Sequence, residues 1–71
     1  MTLYSSEDLG AAIRARRKAL GYTQAELAEY CNCGTRFISD LENGKDTIQF
    51  GKVLQVVNML GMDFQLKTRG Q

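Results

Sequence analysis

The sequence has no histidine, and that absence removes more chemistry than any other. Metal sites and acid–base catalysis draw heavily on imidazole. The two cysteines, Cys31 and Cys33, stand one residue apart with no second pair, which argues against zinc. They read as small apolar residues packed where two helices meet, with a redox role as the rarer alternative. No nucleophile–base pair is in view, so no catalytic constellation can be assembled, and neither metal nor cofactor is expected. Long apolar runs are missing too, and none approaches the length of a membrane span. The first residues lack the basic stretch followed by an apolar run that marks a secretory leader. A cytoplasmic location is therefore the expectation. Excess charge is equally scarce: the net value is +1, a weak argument for a polyanionic partner.

Distribution says more than the total. Four of the nine cations, Arg14, Arg16, Arg17 and Lys18, fall within five residues. Such a cluster can hold phosphate while acids elsewhere cancel the sum, although a solvated helix face is its commoner source. The length of 71 residues makes one small domain. A chain of that size hides only about 60% of its unfolded surface, and dimerisation is a usual remedy. With 44% hydrophobic and 24% charged residues, the composition is globular.

Capping grammar marks the helices. Ser5 reads as an N-cap with Asp8 as its capping-box partner, and Tyr4 and Leu9 are spaced for a hydrophobic staple. The first helix is expected over about Ser6 to Leu20, with Leu9, Ile13 and Leu20 on one stripe and Gly21 as its stop. Arg16 and Arg17 both border that stripe, and a cation there needs an acidic partner. The opening repeats at Thr23 and Glu26, with Tyr22 placed to staple onto Leu27, for a second helix over Gln24 to Cys31. Asn32 tolerates the left-handed turn, Gly34 caps, and a third helix runs from Thr35 to Asn43. A fourth takes Gln49 to Leu60, with Phe50, Val53, Leu54, Val57 and Leu60 inward. Gly51 within it has no evident reason. After Gly61 the period changes to two: Met62, Phe64 and Leu66 alternate with Asp63, Gln65 and Lys67, the pattern of a strand. A lone strand cannot satisfy its own backbone, so its expected partner is the same segment of a second subunit. A frayed tail is the alternative. The chain thus divides into residues 1–61, a helical domain, and 62–71, a dimerisation strand and tail.

The stretch Thr23 to Lys45 is organised as helix, turn, helix. On the third helix Phe37, Ile38 and Leu41 gather on one side, and Thr35, Arg36, Ser39 and Asp40 on the other. That polar face suits a DNA major groove. Arg36 can form two bonds to guanine, Thr35 and Ser39 can meet a base edge or a thymine methyl, and Asp40 can accept from cytosine or orient Arg36. Gln24, Asn43 and Lys45 are the expected phosphate contacts. Phe37 suits core packing, thymine contact or a partner. Glu42, at the border of the apolar side, could reach back to an arginine of the first helix.

TQAELA followed at a fixed gap by ISDLENGK resembles the Xre/Cro-like helix-turn-helix regulators. The resemblance implies a mainly α, lambda-repressor-like helix-turn-helix bundle of four helices plus a C-terminal β-strand pairing across a dimer. It implies Gln24 and Asn43 on phosphates and Thr35, Arg36 and Asp40 facing bases, and it selects Arg17 as the partner of Glu42. The turn departs from the family pattern: Asn32, Cys33 and Gly34 replace the usual glycine, branched apolar residue and serine. The two ends, YSSEDLGAAIRARRKALGYTQ and KVLQVVNMLGMDFQLK, are similar to HipB-type antitoxins. That narrower likeness implies a homodimer on double-stranded operator DNA that also holds a HipA-like serine/threonine kinase toxin inactive. Two other readings stand beside it: a protein-interaction module that mainly inhibits a partner, and a phage-type or metabolic Xre repressor without a toxin.

Overall fold

The computed structural model describes residues 3–66 and 68–70. Four helices follow one another: α1 (Ser6–Ala19), α2 (Gln24–Tyr30), α3 (Thr35–Glu42) and α4 (Phe50–Met59). Each start has a local cause. The Ser5 hydroxyl accepts from the Asp8 N–H at 3.1 Å. The Asp8 carboxylate reaches past the cap to the Tyr4 N–H at 2.9 Å, so the bond expected at Ser5 is made one residue earlier. At α2 the capping box closes fully, with Glu26 N–H on Thr23 at 3.0 Å and Thr23 N–H on Glu26 at 2.9 Å. Tyr4 is 80% exposed and staples nothing.

One stop serves all four helices. The residue after the C-cap turns left-handed at Gly21, Asn32, Gly44 and Gly61. Its N–H and the next one bond back onto the last turn, as in Gly44 to Leu41 at 3.1 Å and Lys45 to Asp40 at 3.0 Å. Asn32, with φ of 53°, fills a place where a Cβ is tolerated only for short polar side chains.

Ile13, Leu27, Ile38, Leu41, Val53, Val56 and Leu60 are fully buried where the helices meet. Leu9, Tyr22, Cys33, Phe37, Ile48 and Met62 pack partly against them. The rotation of α4 differs from the expected one. Val53, Val56, Val57 and Leu60 face inward, whereas Phe50 is 59% exposed and Leu54 39%. This helix carries more apolar side chains than one face can hold, and the compact valines take the inner one. Leu20, at the end of α1, is also 39% exposed rather than on the core stripe.

The expected strand at Met62, Phe64 and Leu66 is not formed among the described residues. A ladder needs a second backbone, and among the described residues no second strand supplies one. Met62 instead packs on the core, the Phe64 ring rests 5.8 Å from that of Phe50, and Leu66 is 99% exposed. Lys67 of the same alternation lies outside the described residues.

Two helical glycines have opposite surroundings. A Cβ on Gly10 of α1 would stand against the Leu41 carbonyl and 2.6 Å from that of Glu42, so α1 crosses the end of α3 at backbone contact. A Cβ on Gly51, in the first turn of α4, would meet nothing within 4 Å beyond its own helix. Gly10→Ala should therefore lose about 1–3 kcal/mol by overpacking, while Gly51→Ala should gain up to about 1 kcal/mol from helix propensity. Urea unfolding of the two variants beside the parent checks both signs.

Candidate nucleic-acid interface

The third helix is held from behind by a buried ion pair. Arg17 and Glu42 have side chains only 9% and 2% exposed. The guanidinium binds the carboxylate with two bonds, Nε to Oε2 at 2.6 Å and Nη2 to Oε1 at 3.0 Å. Its remaining Nη1 donates to the Tyr22 carbonyl at 2.8 Å, and Gln24 donates to Glu42 Oε1 at 3.1 Å. One constellation thus joins α1, the α1–α2 loop, α2 and α3. Arg16, the other arginine beside the stripe, donates to the Leu60 carbonyl at 2.9 Å and closes the end of α4. Both arginines border the same stripe, so the helical wheel could not separate them. Where Glu42 lies in space does.

Hydrogen bonds donated to the Glu42 carboxylate hold Arg17 above its ordinary value, burial acting against them and the Glu42 charge adding to them. Burial alone pushes the Glu42 carboxyl up. The hydrogen bonds from Arg17 and Gln24, with the charges of Arg17 and Arg14, outweigh it and hold the carboxyl below its ordinary 4.5.

Support from behind leaves the polar side of α3 outward. Thr35 and Arg36 are exposed in its first turn, the Arg36 side chain by 91%. Asp40 is not a bare negative charge on that face. Lys45 Nζ lies 3.4 Å from its Oδ2 and Arg36 Nε 4.0 Å, so two cations flank the carboxylate. Ser39 accepts from Asn43 at 3.4 Å. Gln24 is half-buried at the start of α2, with one side-chain N–H on Glu42 and a second left for another acceptor. Gly34 caps α3 without a side-chain bond, as the loss of the family serine implies. Phe37 is half-buried against the core, with Lys52 Nζ 5.6 Å from its ring centre.

Cys31 is buried and Cys33 partly so, and both thiols are free. Burial pushes both up, the neighbouring thiol adding to the rise at Cys31 and Lys52 opposing it at Cys33. They sit in the packing between α2 and α3. Sequence reasoning passed over Gly10 as a site residue, although a glycine in a helix interior, costly by propensity, was the signal for it. It could not have named what approaches.

A short helix propped on a second across a tight turn, with a polar outer face and a buried brace, defines a helix-turn-helix. The chain belongs to the HTH_3 helix-turn-helix family, whose pattern matches residues 13–67. It is 47% identical over 64 residues to the uncharacterized HTH-type transcriptional regulator y4mF of Sinorhizobium fredii, covering 90% of this chain and 84% of that one. Among solved structures it superposes on a chain of a HipB-O4 20mer complex with a TM-score of 0.88 and 26% identity, over 97% of both chains. A chain of a HipA-HipB-O2-O3 complex gives the same values. The fold is thus that of an Xre-like transcriptional regulator similar to HipB, in a family of regulators rather than enzymes. No helix among the described residues is long and apolar enough to cross a membrane.

The brace makes the domain sensitive to acid. Glu42 titrates lower in the folded chain than in the unfolded one, so its contribution is full above about pH 4.5 and falls away as pH drops through the folded value. Glu42→Ala should cost about 3–5 kcal/mol at neutral pH, because it strands a buried guanidinium. Glu42→Gln should lose part of that and flatten the acid limb. Urea midpoints measured from pH 7 to pH 3 read both effects.

Proposed function

We propose that this chain is a dimeric operator-binding repressor and the antitoxin of a HipBA-like pair, acting in the cytoplasm. The observation that carries DNA binding is the placement of Thr35 and Arg36: fully outward on a helix whose rear is fixed by the buried Arg17–Glu42 pair. Thr35, Arg36, Ser39 and Asp40 face base edges, with Arg36 giving two bonds to guanine and Asp40 holding its guanidinium in line. Gln24, Asn43 and Lys45 meet phosphates on either side. Residues 1–61 form the reading domain and 62–71 the coupling segment.

Coupling between two copies rests on the tail and α4. Met62, Phe64 and Leu66 supply an unpaired strand pattern, and Phe50, Leu54, Phe64 and Leu66 are large apolar side chains left open to water. Strand pairing about a two-fold axis satisfies the backbone and covers that surface. It sets two copies of α3 roughly 34 Å apart, one turn of DNA. The kinase partner is supported by likeness to the chain in the HipA-HipB-O2-O3 complex. A kinase-like reading frame beside this gene, whose product co-purifies with the chain, would bear the antitoxin role out. No such neighbour would leave a repressor without a toxin.

Anisotropy titration against DNA from upstream of the chain's own gene tests the repressor reading. Arg36→Ala should cost about 1–3 kcal/mol on the cognate duplex and relax sequence preference. Equal affinity of the parent for a scrambled duplex would overturn it. Removing residues 62–71 should turn a dimer into a monomer in sedimentation equilibrium, and an unchanged mass would overturn the coupling role of the tail.

A further inference from the structure

The outward cations of α1 are not absorbed by the reading face, the brace or the tail. Their placement is informative. Glu7, Gly10, Arg14 and Arg17 recur at three- and four-residue spacing, and so lie on one stripe of α1. Three of the four touch the end of α3. A Cβ on Gly44 would lie 2.7 Å from Glu7 Cγ, and one on Gly10 would lie 2.6 Å from the Glu42 carbonyl. Arg17 grips the Glu42 carboxylate. The fourth, Arg14, stands between Gly10 and Arg17 on that stripe, and both of those residues meet Glu42.

Unlike Arg17, Arg14 stays exposed. Among the described residues it joins no ion pair, and its charge nonetheless helps depress the Glu42 carboxyl. That carboxylate already accepts three hydrogen bonds, from Arg17 and Gln24, and none from Arg14. Arg14 is therefore an exposed guanidinium on a rigid helix, about one turn from each of Gly10 and Arg17, the two points at which α1 meets Glu42.

We infer that Arg14 binds a backbone phosphate of the duplex, a contact from α1 that adds to those of Gln24, Asn43 and Lys45. This rests on the DNA-binding reading above. The helix fixes the position of Arg14, and its long side chain spans the remaining gap. It reads no base, so its effect is the same on every sequence.

The test is anisotropy titration of the full chain against the upstream duplex and a scrambled one, each across a series of salt concentrations. Arg14→Ala should lose about tenfold in affinity on both duplexes, and the slope of log affinity against log salt should shrink by about 0.9. Arg14→Lys should restore the slope, and the melting midpoint of both variants should match the parent. An unchanged slope in Arg14→Ala, a loss confined to the cognate duplex, or a lowered melting midpoint in place of a slope change would each overturn the assignment. Parent protein that binds with an unaltered Arg14→Ala refutes this contact alone. Parent protein that binds no duplex refutes the DNA reading, and the contact with it.

Discussion

The buried fork between Arg17 and Glu42 is the constraint on which the geometry of the domain depends. Taking two charges out of water is costly, and such a pair is a poor source of stability by itself. What it supplies here is direction. A guanidinium and a carboxylate bonded at two points admit one mutual orientation, whereas apolar side chains would tolerate several. With Nη1 on Tyr22 and Gln24 on the carboxylate, that orientation is passed to every element around the turn. The angle at which α3 leaves the surface is thus set by hydrogen bonds rather than by packing alone.

Close approach is the complement of that fork. At Gly10 the backbones of α1 and α3 touch with no side chain between them, while about two turns later Arg17 reaches Glu42. One helix therefore meets Glu42 of α3 in two ways, once as bare backbone and once as charge. In a chain with so few core side chains, these two points do much of what a larger apolar interior does elsewhere.

The local signals in the sequence were dependable where the chemistry is local. Thr23 with Glu26 and Gly44 after Asn43 each announce a helix end through bonds made within a few residues. Thr35 and Arg36 opposite Ile38 and Leu41 needed only helical periodicity. Long-range choices were another matter. Arg16 and Arg17 both border the stripe on a wheel, and what separates them in space is that Arg17 meets Glu42 while Arg16 meets the Leu60 carbonyl. Phe50 and Leu54 look like core because α4 is apolar on nearly every side, and its rotation is decided by the shape of the hole it fills. The tail poses a different problem: an alternating pattern reports a tendency to pair and says nothing of whether the mate lies in the same chain.

The brevity of α3 has a consequence of its own. Eight residues make little more than two turns, and an isolated peptide of that length does not hold a helix in water. The outward polar surface of α3 is therefore not a pre-built tool mounted on a scaffold. It exists only while the whole body is intact, so loosening the seam with α1 by heat or a protease dissolves that surface in the same event.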